Sequence, residues 1–205
     1  HSLSGMLIPI CAYIVMAISL NLTVGILGEL SLGHAGFMSV GAFTGIIVTT
    51  VLADSVAAPM LRLFIAMIFA AVAAAIVGVI VGVPVLRLKG DYLAIITLGF
   101  GMIIVNVINN LPFCGQQGLS QGSASSALYA SGLGFSNDEK MQYLWVAGLA
   151  VILCMTCMFM FVRSKYGRAI RAIRDNEIAA SASGINVSYY KVLTFTISAF
   201  FAGIT

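Results

Sequence analysis

Five apolar runs dominate the sequence: Gly5–Leu27, His34–Ala53, Leu61–Leu86, Tyr92–Leu111 and Met141–Val162. Each is about the length that a helix needs to cross a bilayer, roughly 20 residues. A sixth run begins near Ser188. Hydrocarbon offers no hydrogen bonds, so backbone groups in such runs must pair within their own segment, and the runs are helices. Strand-like alternation is absent, which argues against a barrel. Only 8% of the residues are charged and 60% are hydrophobic, whereas a soluble domain is about a quarter charged. The expected fold is all-α: a polytopic transmembrane helix bundle forming a single domain over residues 1–205, with five full spans and the start of a sixth. The first residue is His1, and the last run, from near Lys191 to Thr205, reads as too short to span. Both features suggest a fragment.

Basic residues in short loops set the orientation of such a bundle. Arg163, Lys165, Arg168, Arg171, Arg174 and Lys191 crowd one segment, so loop 163–191 is expected on the cytoplasmic side. Counting back, the Gly- and Ser-rich loop 113–140 falls outside, with a short helix expected around Ser123–Ala130. The turn Arg87–Asp91, with Lys89, falls inside, and Asp54–Met60 falls outside. The first turn carries Glu29 alone, within the glycine-rich stretch GILGELSLGHAG (Gly25–Gly36). That stretch reads either as a tight turn or as an unwound segment inside the membrane, where irregular backbone is tolerated if it lines a path. Gly41 and Gly45 form one G-x-x-x-G, and Ala70, Ala74, Gly78 and Gly82 form a small-residue stripe. Both patterns predict close helix packing.

Few residues are placed for chemistry. There is no G-x-x-x-x-G-K-[ST], so this chain holds no phosphate-cradling loop of that type. Ionisable residues within spans are functional by default, and only Glu29 and His34 are candidates. Arg62, Arg87, Lys89 and Asp91 sit at helix ends, where they can snorkel. Asn21, Thr97, Asn106, Asn109 and Asn110 are polar groups that either bond neighbouring helices or, with Glu29 and His34, line a solute path. An enzyme is not expected, because Ser181 has no histidine partner and His34 has no Cys, His or carboxylate at ligand spacing. Cys154 and Cys157 form C-x-x-C inside an apolar run and read as small apolar helix residues. A disulfide between Cys11 and Cys114 has no positive support in the pattern.

The segment 164–190 is the most informative. Tyr166–Arg174 has helical spacing, with Ile170 and Ile173 on one side and Arg168, Arg171 and Arg174 around the other. Asp175 is expected to cap a second short helix over Asn176–Ser183, with Glu177 favourable in its first turn and Gly184 at its C-terminal turn. Ser188 is expected to cap the next membrane helix. A short helix with a flat Ala/Ser face, held outside the membrane, reads as a docking element; a basic connector touching anionic lipid heads is the rival reading.

Glu177, Ala179, Ala180 and Gly184 form E-x-A-A-x-x-x-G, which resembles the coupling loop of ABC-importer permeases. The longer stretch Gly167–Lys191 is similar to that of branched-chain amino acid permeases of the LivM type. GELSLGHAGFMSVGAFT (Gly28–Thr44) and KGDYLAIITLGFG (Lys89–Gly101) resemble two further motifs of that family, in the same order. Glu29 stands where the family usually has Gln. Cys114 and Gln116 depart from its usual T-G-G-x-x-G, which bears on solute choice. The resemblance implies an ATP-driven importer subunit for branched-chain amino acids in the bacterial inner membrane. It implies docking of ATPase subunits on Asp175, Asn176, Glu177, Ala179, Ala180 and Gly184. It also implies a second related permease, two cytoplasmic ATP-binding subunits and a periplasmic solute-binding protein as partners, besides the bilayer and without nucleic acid. No cofactor is then bound by this chain, since ATP and magnesium belong to the ATPase. Relatives carrying urea, short amides or other amino acids give the alternative substrates, and an ATP-independent channel or facilitator is the alternative of another class.

Overall fold

The structure, a computed structural model, describes residues 2–52, 59–85, 91–110 and 137–205. Among them no strand occurs, and the chain is an all-α bundle as expected. Helix α1 (Ser2–Asn21) runs directly into a π-helix at Leu22–Leu27. Four long helices follow: α2 (His34–Val51), α3 (Pro59–Val85), α4 (Asp91–Asn110) and α5 (Asn137–Arg163). Two short ones, α6 (Lys165–Asp175) and α7 (Glu177–Ala182), precede α8 (Val187–Ile204).

Two boundaries differ from expectation. The sixth run is not the mere start of a span: α8 has 18 residues and is long and apolar enough to cross a membrane, as are α1, α2, α3 and α5. Lys191 does not interrupt it, because its side chain folds inward and is buried. Helix α5 begins at Asn137 rather than after Lys140, and Asp138 and Glu139 in its first turn suit a helix start. The turn around Asp54, the Arg87–Lys89 turn, Cys114 and the helix expected at Ser123–Ala130 lie outside the described residues.

Helix α8 is the centre of the bundle. One side joins α2, α3 and α4 in a core of Phe37, Ala74, Val81, Val85, Leu93, Phe195, Ala199 and Ala202. Its other side meets α1 and α5 around Val15, Leu22, Cys154, Met158 and Phe201. Cys154 thus packs as a small apolar residue. The small-residue patterns explain the tightness of these crossings. Ala70, Ala74, Gly78 and Gly82 are all buried on one face of α3, and a Cβ on Gly78 would stand 2.6 Å from that of Ala199. A Cβ on Gly41 would collide with the Gly203 carbonyl, whereas Gly45 faces open space. Arg62, expected to snorkel outwards, is buried in the first turn of α3. Large side chains such as Ile80, Ile152 and Met160 remain exposed on the outer faces, which suits an apolar solvent.

Candidate functional site

The segment after α5 is built from local capping. The Ser164 side chain accepts from the Gly167 N–H and starts α6. Gly167, Ile170 and Ile173 turn inwards while Arg168, Arg171 and Arg174 stay exposed, as the spacing predicts. Tyr166 stacks on Phe161 and approaches Tyr190 of α8 at 6.2 Å, fastening α6 beneath the bundle. The backbone leaves the helix at Asn176, with φ −158° and ψ 106°. Its Oδ1 accepts from the Ile178 and Ala179 N–H groups, each at 3.0 Å. Asn176, not Asp175, is therefore the N-cap of α7; a cap residue must leave helical backbone geometry, and Asp175 still closes α6. Gly184, with φ +84°, ends α7 in the left-handed conformation that favours glycine. Asn186 caps α8 by accepting from the Tyr189 N–H, the role expected of Ser188.

Ala180 is buried against the bundle, while Ala179, Ser181 and Ala182 are exposed. The flat Ala/Ser surface carries one protrusion, because Ile178 is 81% exposed at the start of α7. Sequence reasoning missed it. The signal was an isoleucine two residues from the buried Ala180, hence on another face of so short a helix.

Within Gly25–Gly36 a tight backbone turn is followed by non-helical chain. The π-helix ends where Gly28 adopts φ +81°, its N–H bonding the Thr23 carbonyl. The chain then reverses and runs unwound to His34. Along this stretch burial alternates: Leu30 and Leu32 are exposed, Ser31 and Gly33 buried. The unwound backbone is held by Thr97 of α4, whose Oγ1 accepts from the Leu32 N–H at 3.1 Å and donates to Ala94 O. Its far end reaches deep into the bundle. His34 Nε2 meets Ser198 Oγ at 2.6 Å, and Ser198 lies eleven residues into α8, about 16 Å along the axis. Ser198 Oγ donates to Ser19 O, and Ser19 Oγ donates to Ser198 O. With its proton spent on Ser19 O, Ser198 Oγ accepts from His34 Nε2–H. On the other side of the ring, Nδ1 faces Ser31 Oγ at 3.4 Å.

The reversal and the short helices meet at one cluster. Lys191 Nζ lies 2.5 Å from Glu29 Oε1 and 3.5 Å from Glu177 Oε2. Burial pushes the Glu29 carboxyl above the usual carboxylate range, against the opposing pull of Lys191. Arg174 adds a second tie: its guanidinium donates to Gly25 O, and its side chain covers Gly28. Glu29 and Glu177, from two separate motifs, are thus brought together by Lys191.

The remaining candidates do not converge. Asn21 is exposed at the end of α1 with its carboxamide over Gly25. Asn106 and Asn110 are exposed on α4, and Asn110 Nδ2 donates to Asn106 O. The side chain of Asn109 lies outside the described residues. Thr97 and His34 are buried at the unwound stretch.

Comparison with known proteins covers nearly the whole chain. Residues 2–205 match the family model described as branched-chain amino acid transport system / permease component. The chain is 34% identical to the high-affinity branched-chain amino acid transport system permease protein LivM of Escherichia coli K12, over 93% of this chain and 48% of that protein. It is 33% identical to LivM of Salmonella typhimurium LT2, with the same coverage. Against the permease protein BraD of Pseudomonas aeruginosa the identity is 27%, over 94% of this chain and 64% of BraD. The chain therefore spans about half the length of the two LivM proteins. No solved structure matches.

Proposed function

The chain belongs to the branched-chain amino acid transport system permease family, and from that premise we propose that it is the membrane-spanning part of an ATP-driven importer for leucine, isoleucine and valine in the bacterial inner membrane. The observation that carries this reading is the family match from residue 2 to residue 205. The geometry supports it: α7 is a separate short helix, capped at both ends, with Ala180 buried and Ile178 projecting outwards. In this reading loop 163–191 is cytoplasmic, and one ATP-binding subunit docks on Asn176–Gly184. A second, related permease with its own ATP-binding subunit completes the path, and a periplasmic solute-binding protein delivers the substrate. ATP and magnesium act on the ATPase subunits; their closure displaces α7, and the bundle tilts between inward- and outward-facing states. Urea, a short amide or another amino acid is the alternative cargo, suggested by Cys114 and Gln116, which depart from the family's usual pattern.

Uptake of radiolabelled leucine, and separately of urea, in cells with the full-length gene deleted and restored tests the reading. Leucine uptake lost on deletion and rescued on restoration is the expected result. Urea uptake lost with leucine uptake unchanged replaces the cargo, and no change in either removes the importer reading.

A further inference from the structure

Resting on the reading of Asn176–Gly184 as the docking segment, we propose that Lys191 is a positioning residue for transport, clamping the docking helix to the chain reversal at Gly28 so that movement of α7 is delivered to the unwound stretch ending at His34. Lys191 belongs to neither element it joins. It rises from the second turn of α8 and places its ammonium between Glu29 on the reversal and Glu177 on α7. Its side chain is only 8% exposed. A buried ammonium is tolerated when it is paired, and removing a partner is costly, so the cluster behaves as one unit. The Arg174 bond to Gly25 O ties α6 to the same reversal from the other side of the Asn176 break.

The reversal is suited to pass displacement on. Residues 28–33 are not helical, so they can bend without carrying α1 or α2 as whole rods. At their far end His34 is fixed by Ser198 and packed edge-on against Phe37 and Phe195, with ring centroids 5.8 and 6.4 Å away. A push on α7 therefore has a continuous route of ionic, backbone and aromatic contacts into the core between α2 and α8. Such a route counts as coupling when both ends bias the same two-state element.

The test uses the full-length chain in the complete transporter, in proteoliposomes with ATPase subunits, second permease and binding protein. Two readouts are taken: leucine delivered per ATP hydrolysed, and hydrogen exchange of residues 28–33 with and without vanadate-trapped nucleotide. In Lys191→Met the expected result is an assembled complex that hydrolyses ATP, with delivery per ATP reduced about tenfold, within the usual range of allosteric coupling. The nucleotide-dependent change in exchange at 28–33 disappears. Lys191→Arg, which keeps both ion pairs, restores both. Glu29→Leu, which cuts only the reversal side of the clamp, also abolishes the exchange response and serves if Lys191→Met fails to assemble. Unchanged delivery and unchanged exchange in Lys191→Met, beside an ATP-driven wild type, overturn the clamp alone. A wild type whose uptake does not depend on ATP overturns the docking reading and the clamp with it.

Discussion

His34 Nε2, at the first residue of α2, lies 2.6 Å from Ser198 Oγ, more than halfway along α8. A helix that begins at that depth is preceded by unwound backbone inside the bundle, and the reciprocal Ser19–Ser198 bonds fasten α1 at the same level. Interhelical hydrogen bonds of this kind are worth roughly 0.6–2 kcal/mol each. Ser198→Ala removes the hydroxyl that serves both His34 and Ser19 and is expected to destabilise by about 1–3 kcal/mol. Ser19→Ala, which leaves the His34 bond in place, costs less. Thermal unfolding of the detergent-solubilised protein checks the order, and equal losses in the two variants would contradict the assigned network.

Asn176→Ala takes the acceptor from the Ile178 and Ala179 N–H groups. Loss of an N-cap costs about 1 kcal/mol, and α7 has only six residues to hold it. Faster amide exchange at Ile178 and Ala179, with α8 unchanged, is the expected signature. Asp175→Ala leaves exchange in α7 as it was, which separates the observed cap from the one expected of Asp175.

Glu177→Arg puts a second positive charge beside Lys191 on α7, the helix proposed to dock the ATPase. Glu177 is more than a third exposed and Lys191 keeps its nearer partner Glu29, so folding is expected to change little, while uptake falls although ATP is still hydrolysed. Normal uptake in this variant counts against the docking role.

Gly41→Ala is expected to destabilise by about 1–3 kcal/mol, since overpacking forces the backbones apart, and the added Cβ would meet the Gly203 carbonyl. Gly45→Ala, one turn further along α2 and facing open space, has no such clash and improves helix propensity. Melting temperatures of the two variants should move in opposite directions; similar shifts would mean that the α2–α8 crossing is not limited by contact at Gly41.

Burial raises the Glu29 pKa above its ordinary value of 4.5. In the window above 4.5, the folded state binds more protons at this site than the unfolded chain. The stabilising contribution is therefore full below 4.5 and is lost as pH rises through the folded-state value. Glu29→Gln does not titrate, so its stability relative to wild type should improve as pH rises across that window and then level off. A relative decline would show that the attraction of Lys191 outweighs burial.

The long helices were legible in the sequence because each is written as an apolar run with few charges, and the small-residue stripe of α3 named the face that meets α8. The two-sided pattern of α6 was legible too, since Ile170 and Ile173 share a face that the arginines avoid. The caps were misjudged by one or two residues: Asp175 and Asn176 are both good capping types, and only the backbone break decides between them. Ser188 lost to Asn186 for the same reason. The ion cluster was invisible because Glu29 and Lys191 are far apart in sequence and each looks like an isolated boundary charge. Burial of Arg62 was equally hidden, since a basic residue in a first helical turn can point either way.

The position of α8 has a consequence for the order in which the molecule can be assembled. Chains are built from the N-terminus, so α1, α2 and α3 are made before the helix on which both cores close. Until α8 arrives, Ser19 and His34 have no Ser198 to bond, and the alanine–glycine face of α3 has no backbone to rest against. The early helices can pair with one another before then, α2 with α3 and α1 with α5, but the two layers are joined late, when a single segment enters between them and satisfies both at once.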